Sequence, residues 1–178
     1  MNKNLLYIIA LFLLSNCQKE KSRIPLQQKS GNFIDFSVKS NIEFNKNEYI
    51  EISKFVSNSP YDFLQSDYGF WYYFNKKKNK TDYKPKFGDK IFYTFECLTL
   101  NGQKKISTNA KQLTYRMEQQ DIISGLREGF KLMSEGDVTT FIFPSHLCFG
   151  LRGDEQKKIN PNTTLVYKVK IHSISKNS

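Results

Sequence analysis

Apolar positions along this chain come in blocks whose spacing changes from one block to the next. The first is the uninterrupted run Leu5 to Leu14, preceded by Lys3. It is too short to cross a bilayer comfortably but suits the core of a secretion signal. Residues 18–31 are almost wholly polar and read as a flexible tether, reaching at most about 45 Å at ~3.3 Å per residue. In residues 32–67, Phe33, Ile34, Phe36, Val38 and Ile42 suggest a short strand or an irregular packing segment. Tyr49, Ile50, Ile52, Phe55 and Val56 then fall at helical spacing and predict a helix that stops near Ser59-Pro60.

From Gly69 onward the spacing is that of strands. Gly69 to Phe74 is a dense aromatic strand, residues 76–88 are a charged loop, and Lys90 to Leu100 is a strand with Ile91, Tyr93, Phe95 and Cys97 on one face. Asn101-Gly102 predicts a type I′ hairpin turn. A shorter strand is expected over Leu113 to Met117. Asp121 to Asp137 reads as a helix capped by Asp121 and ended by Gly136, with Ile122, Ile123, Leu126, Phe130 and Met133 as its apolar stripe. Gly125 and Gly129 share one face of it. Each costs about 0.8–1 kcal/mol against Ala, so close approach of the helix to a sheet is expected. Val138 to Phe143 is a strand and residues 144–161 a long loop. Leu165 to Ser173 is a strand with Leu165, Tyr167, Val169 and Ile171 opposite Lys168, Lys170 and His172. Several antiparallel strands with one short inserted helix make an α+β plan.

Composition narrows what such a domain does. Fifteen Phe and ten Tyr supply ample core surface. The net charge is +10, yet Arg occurs only at positions 23, 116, 127 and 152, and the rest of the positive charge is dispersed Lys. That is a solvated surface and lacks the clustered guanidinium forks of a phosphate reader, so nucleic acid is not an expected partner. No metal-binding or nucleophile motif is present, and no cofactor is implied. Of the two histidines, His172 falls on the polar face of the last strand and His146 in a loop. Aromatic and aliphatic side chains are what remains to build a site. Rotation about an Xaa-Pro bond is a reaction that such a site suits, since it needs no acid, base or nucleophile.

Three segments carry a resemblance. Gly125-Leu126-Arg127-Glu128-Gly129-Phe130-Lys131-Leu132-Met133-Ser134-Glu135-Gly136 is similar to the helix pattern of the FKBP-type peptidyl-prolyl isomerases. Pro144-Ser145-His146-Leu147-Cys148-Phe149-Gly150 resembles their P-S-x-L-A-Y-G loop, and Ile159-Asn160-Pro161-Asn162-Thr163-Thr164-Leu165-Val166-Tyr167 resembles the lead into their final strand. The order and spacing are the family's. The resemblance implies a half-open antiparallel sheet wrapped around one short helix. The pocket walls would be Phe95, Ile122 and Ile123, the floor Leu126, with Phe149 and Ile159 from the loop and Tyr167 from the last strand. Ile106 and Leu113 align more loosely. Phe95 and Phe149 stand where the family usually has Tyr, and Ser107 where it has Asp, which implies fewer hydrogen bonds to a ligand.

The start of the chain adds a location. Leu14-Ser15-Asn16-Cys17 resembles the bacterial lipobox, with Asn16 departing from the usual small residue. It implies lipidation of Cys17 and leaves Cys97 and Cys148 as the remaining thiols, which export would allow to pair. The expected organisation is a lipoprotein signal peptide at 1–16, a polar tether at 17–31, a helix-bearing preface at 32–67 and an isomerase domain at 68–178. Ser59-Pro60-Tyr61 and Gly69-Phe70-Trp71-Tyr72 resemble the gliding-motility-associated FKBP-type lipoproteins. The expected partners are proline-containing exported polypeptides, the bacterial membrane through Cys17, and components of an envelope assembly. A binding or chaperone module with weak or no isomerase activity is the competing expectation.

Overall fold

The computed structural model describes residues 31–77, 82–102 and 105–177. The expected signal peptide, Cys17 and most of the tether lie outside them. The chain divides into two compact units, Met1–Lys39 and Ser40–Ser178. The described part of the first is helical, and Phe36 and Val38 are exposed within it.

Among the described residues two helices and six strands follow one another as α1 (Gly31–Ser57), β1 (Leu64–Gln65), β2 (Trp71–Lys76), β3 (Lys90–Thr99), β4 (Lys105–Arg116), α2 (Ser124–Phe130), β5 (Val138–Phe143) and β6 (Leu165–Ser175). All strands pair antiparallel in one sheet of order β1-β2-β5-β6-β3-β4. This is the α+β plan expected, with α2 packed on the inner face.

Strand alternation divides the apolar residues between two cores. Phe70, Phe141, Phe143, Leu165, Tyr167, Val169 and Ile171 enter the inner core with Leu126 and Phe130 of α2. Trp71 and Ile142 point the other way and meet Ile52 of α1, with Val56, Phe63, Leu100 and Val166 around them. The aromatic run at 70–72 therefore marks a strand buried on both sides.

Helix α1 corrects the reading of residues 32–42, which are helical rather than extended. Of the apolar residues that suggested a strand, Phe36, Val38 and Ile42 are exposed, Ile42 in the second unit by 62%. The inward positions of α1 are Phe44, Glu48, Ile52 and Val56, one every fourth residue. Of the expected stripe, Ile52 and Val56 face in while Tyr49, Ile50 and Phe55 are exposed. The Tyr49 ring nevertheless lies 5.1 Å from that of Trp71. The helix closes on Asn58 N–H to Lys54 O and Ser59 N–H to Val56 O, just before Pro60, as expected.

Three more expectations change. Helix α2 occupies only Ser124–Phe130; Ile123 precedes it and Asp121 does not cap it. Lys131, Leu132 and Met133 donate to the carbonyls three residues back, so the helix tightens into 3-10 turns and stops. Gly136 does take a positive φ of 87°, but in the turn that feeds β5, where its N–H donates to Ile171 O. Strand β4 begins at Lys105, well before Leu113, because its partner β3 supplies hydrogen bonds that a polar sequence does not advertise. In the turn before it, Gly102 has φ 65° but Asn101 does not share the positive φ, so the type I′ geometry is not formed.

The two helix glycines do mark a close approach. A Cβ built on Gly125 would sit 2.6 Å from Phe143 Cδ1, and one on Gly129 3.1 Å from Phe141 Cε1. Both rings are fully buried. Gly125→Ala therefore gains about 1 kcal/mol of helix propensity but overpacks the core at a cost of ~1–3 kcal/mol. Thermal melts should show Gly125→Ala destabilised by up to about 2 kcal/mol and Gly129→Ala close to neutral.

Candidate active site

A cavity of about 530 Å³ opens between the start of α2 and the inner face of the sheet. Phe95 enters it from β3, Ile122 and Ile123 from the segment before α2, and Leu126 from the first turn of the helix. Tyr167 reaches it from β6. Phe149 arrives on the loop after β5, just past a 3-10 turn at Ser145–Leu147. Six of the seven residues expected at the pocket therefore meet there. Ile159 does not line it; it is buried in the inner core and forms a bridge with Asp154. Ile106 and Leu113 pack against the same core. The Ser107 side chain lies outside the described residues.

The pocket is built from rings held by their neighbours. Phe95 and Tyr167 have centroids 5.4 Å apart, and Tyr167 lies 5.8 Å from Phe143. Leu126 and Tyr167 are buried, while Phe95, Ile122, Ile123 and Phe149 are half-buried and so present one side to a ligand. The loop that carries Phe149 is closed by Gly150 N–H to Ser145 O at 2.9 Å and Asn162 N–H to Gly150 O at 2.8 Å. Ser124 Oγ donates to Leu147 O at 3.1 Å, tying the helix start to that loop.

Four lining residues escaped the sequence reading. Ser124 lines the cavity from the first turn of α2 and Cys148 beside Phe149, and Asp121 and Lys157 lie at its rim. Lys157 Nζ stands 5.0 Å from the centre of the Phe149 ring and pairs with Asp154. Position along the loop did not reveal this, since only a folded loop brings the ammonium over the ring. His146 is exposed, whereas His172 is half-buried and its Nε2 lies 3.0 Å from Thr94 Oγ1, so it is not the solvated residue expected.

The electrostatics of the walls are those of an apolar site. Cys97 and Cys148 are free thiols. Burial pushes the Cys97 thiol up to about 11, against a hydrogen bond with Tyr167 that pulls it down. Burial likewise raises Cys148 and the Tyr167 hydroxyl. These groups stay neutral at physiological pH and offer no thiolate or phenolate nucleophile. Among the described residues no cluster of His, Cys, Asp and Glu could hold a metal ion.

An antiparallel sheet closed over one short helix, with a hydrophobic ring-lined pocket between them, defines an FKBP-type domain. The sequence model of the FKBP-type peptidyl-prolyl cis-trans isomerases matches residues 81–172, and the chain belongs to that family. Over 66 residues it is 39% identical to the probable FKBP-type peptidyl-prolyl cis-trans isomerase FkpA of Neisseria meningitidis serogroup B, a match covering 37% of this chain and 23% of that protein. The chain thus matches less than a quarter of that relative's length. FkpA from Escherichia coli superposes with a TM-score of 0.62 at 19% identity, over 98% of this chain and 83% of that one. A peptidyl-prolyl cis-trans isomerase from Pseudomonas syringae pv. tomato gives 0.59 at 18%, over 80% and 96%. The N-terminal domain of FKBP42 from Arabidopsis thaliana gives 0.60 at 17%, over 67% and 96%. At such identities these structures establish the shared fold.

Proposed function

We propose that this protein is a peptidyl-prolyl cis-trans isomerase acting on proline-containing exported polypeptides at the bacterial envelope. One observation carries the activity: Phe95, Ile122, Ile123, Leu126, Phe149 and Tyr167, drawn from four separate segments, converge on one apolar cavity in a member of the FKBP family.

The chemistry follows from the ground state. A planar Xaa-Pro amide is polar and resonance-stabilised, and it rotates over a barrier of about 18–20 kcal/mol, taking tens to hundreds of seconds unaided. The twisted transition state has lost that resonance. An apolar pocket favours it over the planar form by removing water from the amide. The proline ring would rest on Leu126 between Phe95, Phe149 and Tyr167, and the Ile123 backbone N–H would hold a substrate carbonyl. The step transfers no proton, in keeping with neutral walls.

Phe95 and Phe149 in place of the family's usual Tyr favour a second reading, a binding or chaperone module that uses the same pocket with weak turnover. Refolding of a protein whose slow phase is prolyl isomerisation separates the two. Isomerase function predicts that catalytic amounts accelerate that phase. A docking module predicts an effect only near stoichiometric amounts.

The location rests on the apolar run that ends at Leu14-Ser15-Asn16-Cys17. No helix among the described residues is long and apolar enough to cross a membrane. In this reading Cys17 carries the lipid, and the likeness of the Ser59-Pro60-Tyr61 and Gly69–Tyr72 segments to those of the gliding-motility lipoproteins supports a role beside that machinery. Metabolic labelling with a fatty-acid probe should mark the wild type and not Cys17→Ala. Equal labelling of the two would remove the anchor from the account.

A further inference from the structure

A carboxylate on α1 is buried where the pocket loop begins and ends. Glu48 is 5% exposed. Its Oε1 accepts the Ser145 backbone N–H at 2.7 Å and the Thr164 hydroxyl at 2.5 Å, and its Oε2 accepts the Ser145 hydroxyl at 3.0 Å. Ser145 opens the 3-10 turn that leads to Cys148 and Phe149, and its carbonyl accepts the N–H groups of both Cys148 and Gly150. Thr164 immediately precedes β6, three residues before Tyr167. Between those two anchors lies the loop that supplies Cys148, Phe149 and Lys157 to the cavity. One side chain therefore holds both stems of that loop. It comes from outside residues 81–172, the part of the chain that the family model matches.

We propose that Glu48 is a positioning residue for the isomerase pocket: it clamps Ser145 and Thr164 together, fixing the loop that carries Phe149. This rests on the isomerase reading of the pocket. Burying a carboxylate is costly unless its oxygens are satisfied, and three donors from the loop stems satisfy them. An apolar residue at the same place would serve helix packing equally well, as Ile52 does one turn later. What an apolar residue cannot do is accept the buried Ser145 N–H, which would then be orphaned at the root of the loop.

That difference designs the test, made in the full chain. Glu48→Leu keeps the helix packed but removes every acceptor. Glu48→Gln keeps one oxygen, and the Ser145 hydroxyl can turn to accept from its amide. Hydrogen exchange should then be about tenfold or more faster at Cys148 and Gly150 in Glu48→Leu, with β3 and β6 unchanged, and within about threefold of wild type in Glu48→Gln. On a prolyl peptide, Glu48→Leu should lower kcat about tenfold with a smaller change in KM, because a displaced wall weakens the transition-state contacts. Glu48→Gln should restore most of it. Unchanged loop exchange in a folded Glu48→Leu overturns the proposal, as does a loss of activity that Glu48→Gln fails to restore. Should Glu48→Leu not fold, Thr164→Val decides. It removes one donor and leaves the carboxylate, so faster loop exchange supports the clamp and wild-type exchange overturns it. A wild type that isomerises no peptide removes the proposed function, and the exchange measurements alone then decide the clamp.

Discussion

Ile52→Ala is expected to lower the melting temperature by about 5–20 °C. Ile52 is fully buried, packed on Trp71 and Ile142 across the outer face of the sheet. Removing such a side chain costs about 2–5 kcal/mol in lost transfer energy plus the cavity left behind. Each kcal/mol moves the midpoint by roughly 2.5–4 °C for a domain of this size. Ile42→Ala, ten residues earlier in the same helix and 62% exposed, serves as the control and should change stability by less than about 0.5 kcal/mol. If both variants melt as the wild type does, α1 contributes nothing to the stability of the domain. A chain begun at Ser66 would lack β1, Glu48 and Ile52 together and would leave Trp71 uncovered.

The second large effect is on activity. Phe149 is half-buried on a loop, so Phe149→Ala removes a pocket wall at little cost to the core. Losing most of an aromatic contact, about 1.4–2.7 kcal/mol, corresponds to a 10- to 100-fold fall in kcat/KM. The Lys157 ammonium, 5.0 Å from the ring centre, loses its seat in the same variant. Phe149→Tyr works in the other direction. Its added hydroxyl should raise kcat by up to about tenfold if it bonds the substrate carbonyl only in the transition state. Thermal melts of both variants should stay within about 1 kcal/mol of wild type, which separates loss of the wall from loss of the fold.

The inner half of this architecture was legible because it follows simple periods. Strand β6 alternates Leu165, Tyr167, Val169 and Ile171 against Lys168 and Lys170, and the structure buries the first set and exposes those lysines. Gly125 and Gly129, unfavourable in a free helix, pointed to the contacts that Phe143 and Phe141 make with α2. What stayed hidden was held by tertiary partners. The inward stripe of α1 contains Glu48, which counts against burial in any hydrophobic pattern and becomes favourable only when Ser145 and Thr164 donate to it. Polar β4 is a strand because β3 lies beside it. The end of α2 at Phe130 reflects its tightening into 3-10 turns, which the apolar stripe through Met133 concealed. In the pocket, motif order located six of the lining residues, while Asp121, Ser124, Cys148 and Lys157 join them through the path of the loop and of the chain into α2. Ile159 carried the right motif but belongs to the core.

The central claim is that the apolar cavity over Leu126 catalyses rotation about Xaa-Pro bonds. Magnetisation transfer between the cis and trans resonances of a short Xaa-Pro peptide measures that rotation directly, with no coupled protease. Wild-type protein should accelerate the exchange in proportion to its concentration, with Phe149→Ala reduced 10- to 100-fold at the same concentration. Exchange at the uncatalysed rate in the presence of folded wild-type protein, or equal acceleration by wild type and Phe149→Ala, would contradict the account.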